Sequence, residues 1–169
     1  CLKLALFPLH QWLPNAYAHA PSVVTAFLAA TATKVAIYVL VRFVYSIFGT
    51  EFSFSTMPLQ TIFLIAALLG IFICSVSAIY QSNVKHIFAY SSVAQIGYMI
   101  LAFSFGTATG LIAMLLHLFN HALMKGALFL AVGAVIYRVG SSQLQDFSGM
   151  GRHMPWTMAA IVAAGLSLI

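Results

Sequence analysis

Acidic side chains are almost missing from this sequence. Two carboxylates, Glu51 and Asp146, stand against seven Lys or Arg in 169 residues, while 63% of the residues are hydrophobic. A soluble domain carries charge on about a quarter of its residues, so this shortage excludes an ordinary soluble fold and points to a membrane protein. Cysteine is scarce too, and Cys1 and Cys74 supply no disulfide framework. Cys74 falls in the middle of an apolar run and reads as a small packing residue. No glycine-rich nucleotide loop, nucleophile elbow or cysteine cluster is present, which leaves neither soluble enzyme chemistry nor a cofactor to expect. The basic residues form no cluster or helical stripe, so the net charge of +5 reads as membrane topology rather than nucleic-acid binding. Also missing are an initiator Met, a basic leader and a signal-peptide cleavage pattern. The chain opens inside one apolar segment, "CLKLALFPLHQWLP", and stops at Ile169 inside another, "PWTMAAIVAAGLSLI". The expectation is a single transmembrane domain over residues 1–169, cut from a longer protein at both ends.

What the sequence has is apolar length. A helix needs about 20 apolar residues to cross a bilayer. Four stretches qualify: Val23 to Phe48, Leu59 to Tyr80, Ile87 to Phe105 and Ala108 to Tyr137, the last long enough to tilt or kink. Pro155 opens a fifth helix at a position proline tolerates. The breaks "GTEFSFSTMP", "QSNVKH", "GTAT" and "RVGSSQLQDFSGMGRHMP" are built from turn and cap residues. Lys85, Arg138 and Arg152 sit at the second and fourth breaks, and the first and third have no basic residue. The positive-inside rule therefore puts those two breaks, with the N-terminal connection "PLHQWLPNAYAHAP", on the cytoplasmic side. Trp12 and Tyr17 read as interfacial belt residues, Arg42, Arg138 and Arg152 as end anchors, and Glu51 and Asp146 as solvated loop charges.

Ionisable groups inside spans each need a reason, since a charge there costs about 2.5 to 3.5 kcal/mol on insertion scales. Lys34 lies some 11 residues from either end of its span, about 15 Å deep at the helical rise, too deep to snorkel easily. Carbonyls or Thr31 and Thr33 could satisfy it structurally, but intramembrane charge marks function by default. In "LLHLFNHALMKGALFL", His117, His121 and Lys125 recur every fourth residue, on one helix face and about 6 Å apart along it. Two histidines without a carboxylate or third ligand, beside a repelling lysine, make a poor metal site. A stripe of titratable groups at that spacing suits a proton relay, in which water or side-chain rotation bridges each gap. Histidines acting as hydrogen-bonding glue between helices are the plainer alternative. Lys85, at the mouth of its span, reads equally as relay or as juxtamembrane anchor. Pro8 and Pro14 bracket "LHQWL" and should break the helix carrying Lys3; broken helices in membranes mark backbone that lines a cavity or site.

The blocks "KLALFPLHQWLPNAYAHAPSVVTAFLAATATK", "NVKHIFAYSSVAQIGYM" and "HLFNHALMKGALFL" resemble the central part of the proton-translocating antiporter-like subunits. That family includes the membrane-arm subunits of respiratory complex I and the D subunit of multisubunit, Mrp-type cation/proton antiporters. The resemblance covers essentially the whole chain, with the blocks in the family's order and spacing. It implies an all-α polytopic bundle of fourteen or so helices with two inverted five-helix repeats, each containing a broken helix, of which this chain is a part. It also implies roles. Lys3 falls on the buried lysine of the first broken helix, Lys34 on the basic group of the next, and Lys85 on the lysine of the "K-x-x-AYSS" block. His117, His121 and Lys125 fall on the hydrophilic axis linking two half-channels. A proton arriving on Lys34 would then destabilise a charged Lys3 by like-charge repulsion, so that the two titrate as a pair. The family's buried glutamate would lie upstream of Cys1 and the ionisable group of the second broken helix beyond Ile169, so that this stretch alone would not conduct. Asn15 and Asn83 stand where many members have aspartate, and His86 replaces the usual arginine, all at the cytoplasmic face.

Within the family, "APSVVTAFLAATATKVAIYVLVRF" and "FSGMGRHMPWTMAA" look closer to the Mrp-type D subunit. The expected function is proton translocation within a multisubunit antiporter exchanging Na+ or another monovalent cation for protons, in a bacterial plasma membrane with other membrane subunits as partners. The alternative is a proton-pumping membrane-arm subunit of NADH:quinone oxidoreductase, in which case the chain belongs to an enzyme. A non-conducting scaffold that kept the fold is a further alternative.

Overall fold

In a bilayer no water is available to satisfy backbone N–H and C=O groups, so an apolar chain must close its hydrogen bonds within each segment. The computed structural model, which describes residues 2–167, is accordingly helical, with no β-strand among those residues. Cys1 and the last two residues of the fifth span lie outside the described residues. A short helix α1 (Trp12–His19) follows a run of turns and precedes α2 (Ser22–Arg42), which runs on through a π-helical turn (Phe43–Ile47). A second π turn (Phe52–Thr56) leads to α3 (Leu59–Ile79), α4 (Val84–Ser104) and α5 (Ala108–Val139). A 3-10 turn (Leu144–Phe147) and a one-turn α6 (Met150–His153) lead into α7 (Pro155–Leu166).

Among the described residues, four helices are long and apolar enough to span a membrane: α2 with its π turn, α3, α4 and α5. Their ends follow from capping. Asn83 accepts a hydrogen bond from the backbone N–H of Lys85 at 2.9 Å, and Thr107 accepts one from Gly110 at 3.1 Å. The Asn83 cap starts α4 three residues earlier than the apolar pattern suggests, which draws Lys85 into the span. Helix α5 ends at Gly140, whose φ of 79° is the left-handed conformation that glycine adopts most readily. Pro14 lies inside the first turn of α1, where a missing N–H costs nothing. The break in the N-terminal segment therefore falls before Trp12 and not at both prolines.

Hydrogen bonds and ring contacts sort the breaks onto two faces. The backbone N–H of Val84 donates to Ser142 at 2.9 Å, that of Leu144 to Ser82 at 2.8 Å, and the Asn83 amide to the Ser142 hydroxyl at 2.8 Å. These bonds tie the second break to the fourth. At the opposite face Tyr45, Phe54 and Phe63 all set their rings against Phe103, with centroids 5.7–6.1 Å apart, joining the first break to the third. Basic and non-basic breaks thus lie on opposite faces. Arg42, Arg138 and Arg152 are exposed, as anchors would be. Tyr17 differs from expectation: it is 2% exposed and packs edge-on to Phe129 at 5.6 Å. The reason is that α1 folds back under the bundle and turns this ring inward, while Trp12 stays exposed.

The core runs along α4, which is covered on several sides. Gly97 permits a close approach of α3 to α4: a Cβ there would meet Ile71 Cγ1 at 2.8 Å and the Ala67 carbonyl at 3.0 Å on α3. Cys74 is fully buried in the same contact zone and packs as a small apolar residue.

Candidate functional site

Helices α2, α4 and α5 each carry a lysine inward, and the fold brings those of α2 and α5 together with the two histidines of α5. Lys34 is 6% exposed and donates from Nζ to the Ala29 carbonyl of its own helix. Thr31 is not its partner, for that hydroxyl donates to Phe27 at 2.8 Å. Lys85 is also 6% exposed and donates from α4 to the carbonyl of Ala20, in the link between α1 and α2, at 2.8 Å. Lys125 has no exposed surface at all. Its Nζ donates to the Phe88 carbonyl at 3.0 Å and to the Ser91 hydroxyl, and lies 5.7 Å from the centre of the Phe88 ring. A buried ammonium is costly unless its protons find oxygen atoms, and each of these lysines finds at least one.

The partners are neutral. Carbonyls, a hydroxyl and a ring face carry partial charges only, and the sequence's two carboxylates are both exposed outside these helices. No carboxylate among the described residues stands beside these groups to fix their charge. Lys34 lies within electrostatic range of His117, His121 and Lys125, and His121 within range of His117 and Lys125. The two imidazoles stack with centroids 6.0 Å apart and planes inclined by 11°. His121 is fully buried, and neither of its ring nitrogens, nor Nε2 of His117, meets a hydrogen-bond partner among the described residues. An unsatisfied buried polar atom costs about 1–3 kcal/mol, so imidazoles used merely as packing glue should not be left in this state. No group of three or more metal-ligating side chains occurs among the described residues.

Lys3 stands apart. It is exposed, although Leu4, Ala5 and Leu6 beside it are buried, because nothing among the described residues covers that face of the N-terminal turns. The structure thus joins Lys34, His117, His121 and Lys125, sets Lys85 at the basic end of the same helices, and leaves Lys3 outside the group. His10 is a buried histidine that the spacing of ionisable groups within the spans does not single out. It is 5% exposed, stacks on Phe7 at 5.4 Å, faces Tyr90 edge-on at 6.5 Å, and has an unpartnered Nδ1. The histidine enclosed between the two prolines of "PLHQWLP" was the available signal.

The whole chain, residues 1–169, matches the family described as NADH:quinone oxidoreductase/Mrp antiporter, transmembrane. The chain belongs to this family. It is 45% identical over 168 residues to the NADH-quinone oxidoreductase subunit N of Desulforudis audaxviator, covering 99% of this chain and 33% of that protein. A chain of the Mrp complex from Dietzia sp. superposes with a TM-score of 0.90 at 31% identity, over 99% of this chain and 30% of the other. A chain of the membrane-bound sulfane sulfur reductase, an archaeal respiratory membrane complex, gives a TM-score of 0.87 at 34% identity, over 98% of this chain and 34% of the other. The chain therefore spans about a third of the length of these relatives. As an antiporter-like membrane subunit it shares their fold, an all-helical transmembrane bundle, and its relatives work inside multisubunit membrane complexes.

Proposed function

We propose that this chain is the central part of a proton-translocating subunit in which Lys34, His121, His117 and Lys125 pass protons laterally through the membrane interior. Lys85 connects them to the basic face, and Lys3 joins the relay when the rest of a longer subunit covers it. The observation that carries the proposal is the meeting of Lys34 on α2 with the three bases of α5, at electrostatic range and without a carboxylate to pin any of them. A proton added to one of these groups raises the free energy of charge on the next, by about 4 kcal/mol at 4 Å for an effective dielectric constant of 20 and less at larger separation. Such repulsion moves protons stepwise. The basic face is cytoplasmic by the positive-inside rule, in a bacterial plasma membrane.

The driving reaction resides in other subunits. The 45% identity to a NADH-quinone oxidoreductase subunit N supports redox drive, with the chain serving as one membrane component of the enzyme. A second reading, exchange of Na+ or another monovalent cation for protons, is supported by the TM-score of 0.90 to a chain of the Mrp complex. The test is a ΔpH dye-quenching assay in everted vesicles containing the complete complex, with Lys34→Ala as the comparison. Quenching driven by NADH and quinone and lost in the variant is the expected result. Dequenching upon cation addition, lost in the variant, would favour the second reading. An assembled Lys34→Ala complex with full transport under both conditions would defeat the relay itself.

A further inference from the structure

One acceptor in the basic group is over-subscribed. The Phe88 carbonyl oxygen lies within hydrogen-bond distance of three side-chain donors: Lys125 Nζ at 3.0 Å, Ser91 Oγ at 3.1 Å and Ser92 Oγ at 2.9 Å. It also belongs to the backbone ladder of α4, where each carbonyl accepts from the residue four positions on. A carbonyl oxygen has two lone pairs, so all of these donors cannot be served together. Lys125 is held there by burial, and Ser92, 3% exposed, has little other space. Ser91 differs. It accepts from Lys125 Nζ, and it also lines an open, largely apolar cavity of about 1260 Å³ between α3, α4, α5 and α7, into which Ser75, Gln95, Tyr98, His117 and Asn120 bring polar groups. A cavity of this size with several polar partners can hold water.

We propose that Ser91 is the branch point through which the Lys125 proton leaves the buried relay for this side cavity. The hydroxyl has two orientations. In one, its hydrogen points at the Phe88 carbonyl and the oxygen accepts from Lys125, which holds the ammonium in place. In the other, the hydrogen turns into the cavity toward water. In that orientation Lys125 gives one proton to Ser91 Oγ while the hydroxyl's own proton passes to water. One N–H bond and one serine O–H bond break, and one serine O–H bond and one O–H bond on the acceptor water form, so that the water carries the proton and its charge away. Lys125 is left neutral and Ser91 chemically unchanged. Rotation back to the Phe88 carbonyl resets the hydroxyl. His117 lines the same cavity, so the route gives the relay a second contact with water besides the Lys85 end.

The inference rests on the relay reading of Lys125, and the experiment separates the two. Ser91→Ala, Ser91→Thr and Lys125→Ala are compared in the complete complex, with assembly followed by subunit yield and transport by the initial rate of ΔpH formation. The expected result is a roughly tenfold fall for Ser91→Ala, recovery to within about twofold for Ser91→Thr, which restores a hydroxyl, and normal assembly in both, in keeping with the worth of one positioned proton-transfer group. A merely structural serine predicts reduced assembly in Ser91→Ala with an unchanged rate per assembled complex. Unchanged transport in Ser91→Ala beside a dead Lys125→Ala overturns the branch point and leaves the relay standing. Full transport in Lys125→Ala overturns both.

Discussion

Helices α3 and α4 are neighbours of equal length, 21 residues each, yet they read as opposites. The most apolar window of α3 has a mean hydropathy of 2.8 and is 28% buried, whereas that of α4 has a mean hydropathy of 1.4 and is 61% buried. In a soluble protein the more hydrophobic helix would be the interior one. Here the order is reversed, because lipid is as apolar as leucine and a polar side chain gains by turning toward protein. Helix α3 contains no Lys, Arg, His, Asp or Glu and leaves Ile62, Ile65, Phe72 and Val76 exposed in one row. Helix α4 carries Lys85, Ser91, Ser92 and Gln95 into the bundle and supplies the carbonyl that holds Lys125. In this fold, reduced hydropathy within a span is the sign of an interior helix.

The largest effect that bears on this contrast should come from the interior bases. Lys125→Ala is expected to lower proton transport by at least about a hundredfold, within the range for loss of a proton-transfer group, while assembly persists because Ser91 and Ser92 still serve the Phe88 carbonyl. His121→Ala should cost less, about tenfold, since water can occupy the space of one imidazole. The His117, His121 double alanine variant should fall to the Lys125→Ala level. Initial rates of ΔpH formation in everted vesicles check all three. Wild-type rates in the double variant would reduce the polarity of α4 and α5 to packing.

Next in size is the contact between the two helices themselves. Gly97→Val places methyl groups where even a Cβ would approach Ile71 Cγ1 to 2.8 Å and the Ala67 carbonyl to 3.0 Å. Overpacking of this kind costs about 1–3 kcal/mol, and it should appear as a lower unfolding temperature and reduced yield in detergent. Gly70→Ala, whose Cβ would sit at an ordinary 3.5 Å from Phe7 Cβ, should be tolerated. Equal losses at the two glycines would mean that α3 and α4 are not joined chiefly at Gly97.

Much of this was legible in the sequence because the bilayer allows so few solutions. The four spans follow from apolar length, and their ends differ from the hydropathy pattern by a few residues, chiefly where the Asn83 cap extends α4. The stripe of His117, His121 and Lys125 follows from a spacing of four. What could not be read was anything requiring two helices at once. That Lys34 faces this stripe depends on how α2 and α5 pack, and that Lys85 reaches Ala20 depends on α1 folding back. The inward turn of Tyr17 has the same origin. The crowding of donors at the Phe88 carbonyl depends on a register between α4 and α5 that no single-helix periodicity records.

Lys85→Ala should have a smaller effect than loss of Lys125, because Lys85 sits at the end of the chain of bases and bridges to a single carbonyl. Transport is expected to fall about tenfold with subunit level unchanged, the signature of a relay group near the entrance. Lys85→Arg keeps the charge and the bond to Ala20 but holds its proton far more tightly, so it should also be slow. A normal rate in Lys85→Arg, with reduced protein in Lys85→Ala, would make this residue an anchor. Rate and yield measured on the same vesicle preparations separate the two.

The smallest effect should come from the outer row of α3, and its smallness carries information. Phe72 is 68% exposed, while Phe63 on the opposite side is 5% exposed and sets its ring 5.7 Å from Phe103. If lipid covers Phe72, Phe72→Leu exchanges one apolar surface for another in an apolar solvent and should change stability by less than about 0.5 kcal/mol. Phe63→Leu loses an aromatic contact worth about 0.5–1.5 kcal/mol and should be the more harmful of the two. Thermal unfolding of the complete complex in detergent ranks the variants. The reverse ranking would mean that the outer row of α3 packs against another subunit, and that the low burial of this helix belongs to the chain alone rather than to the assembly.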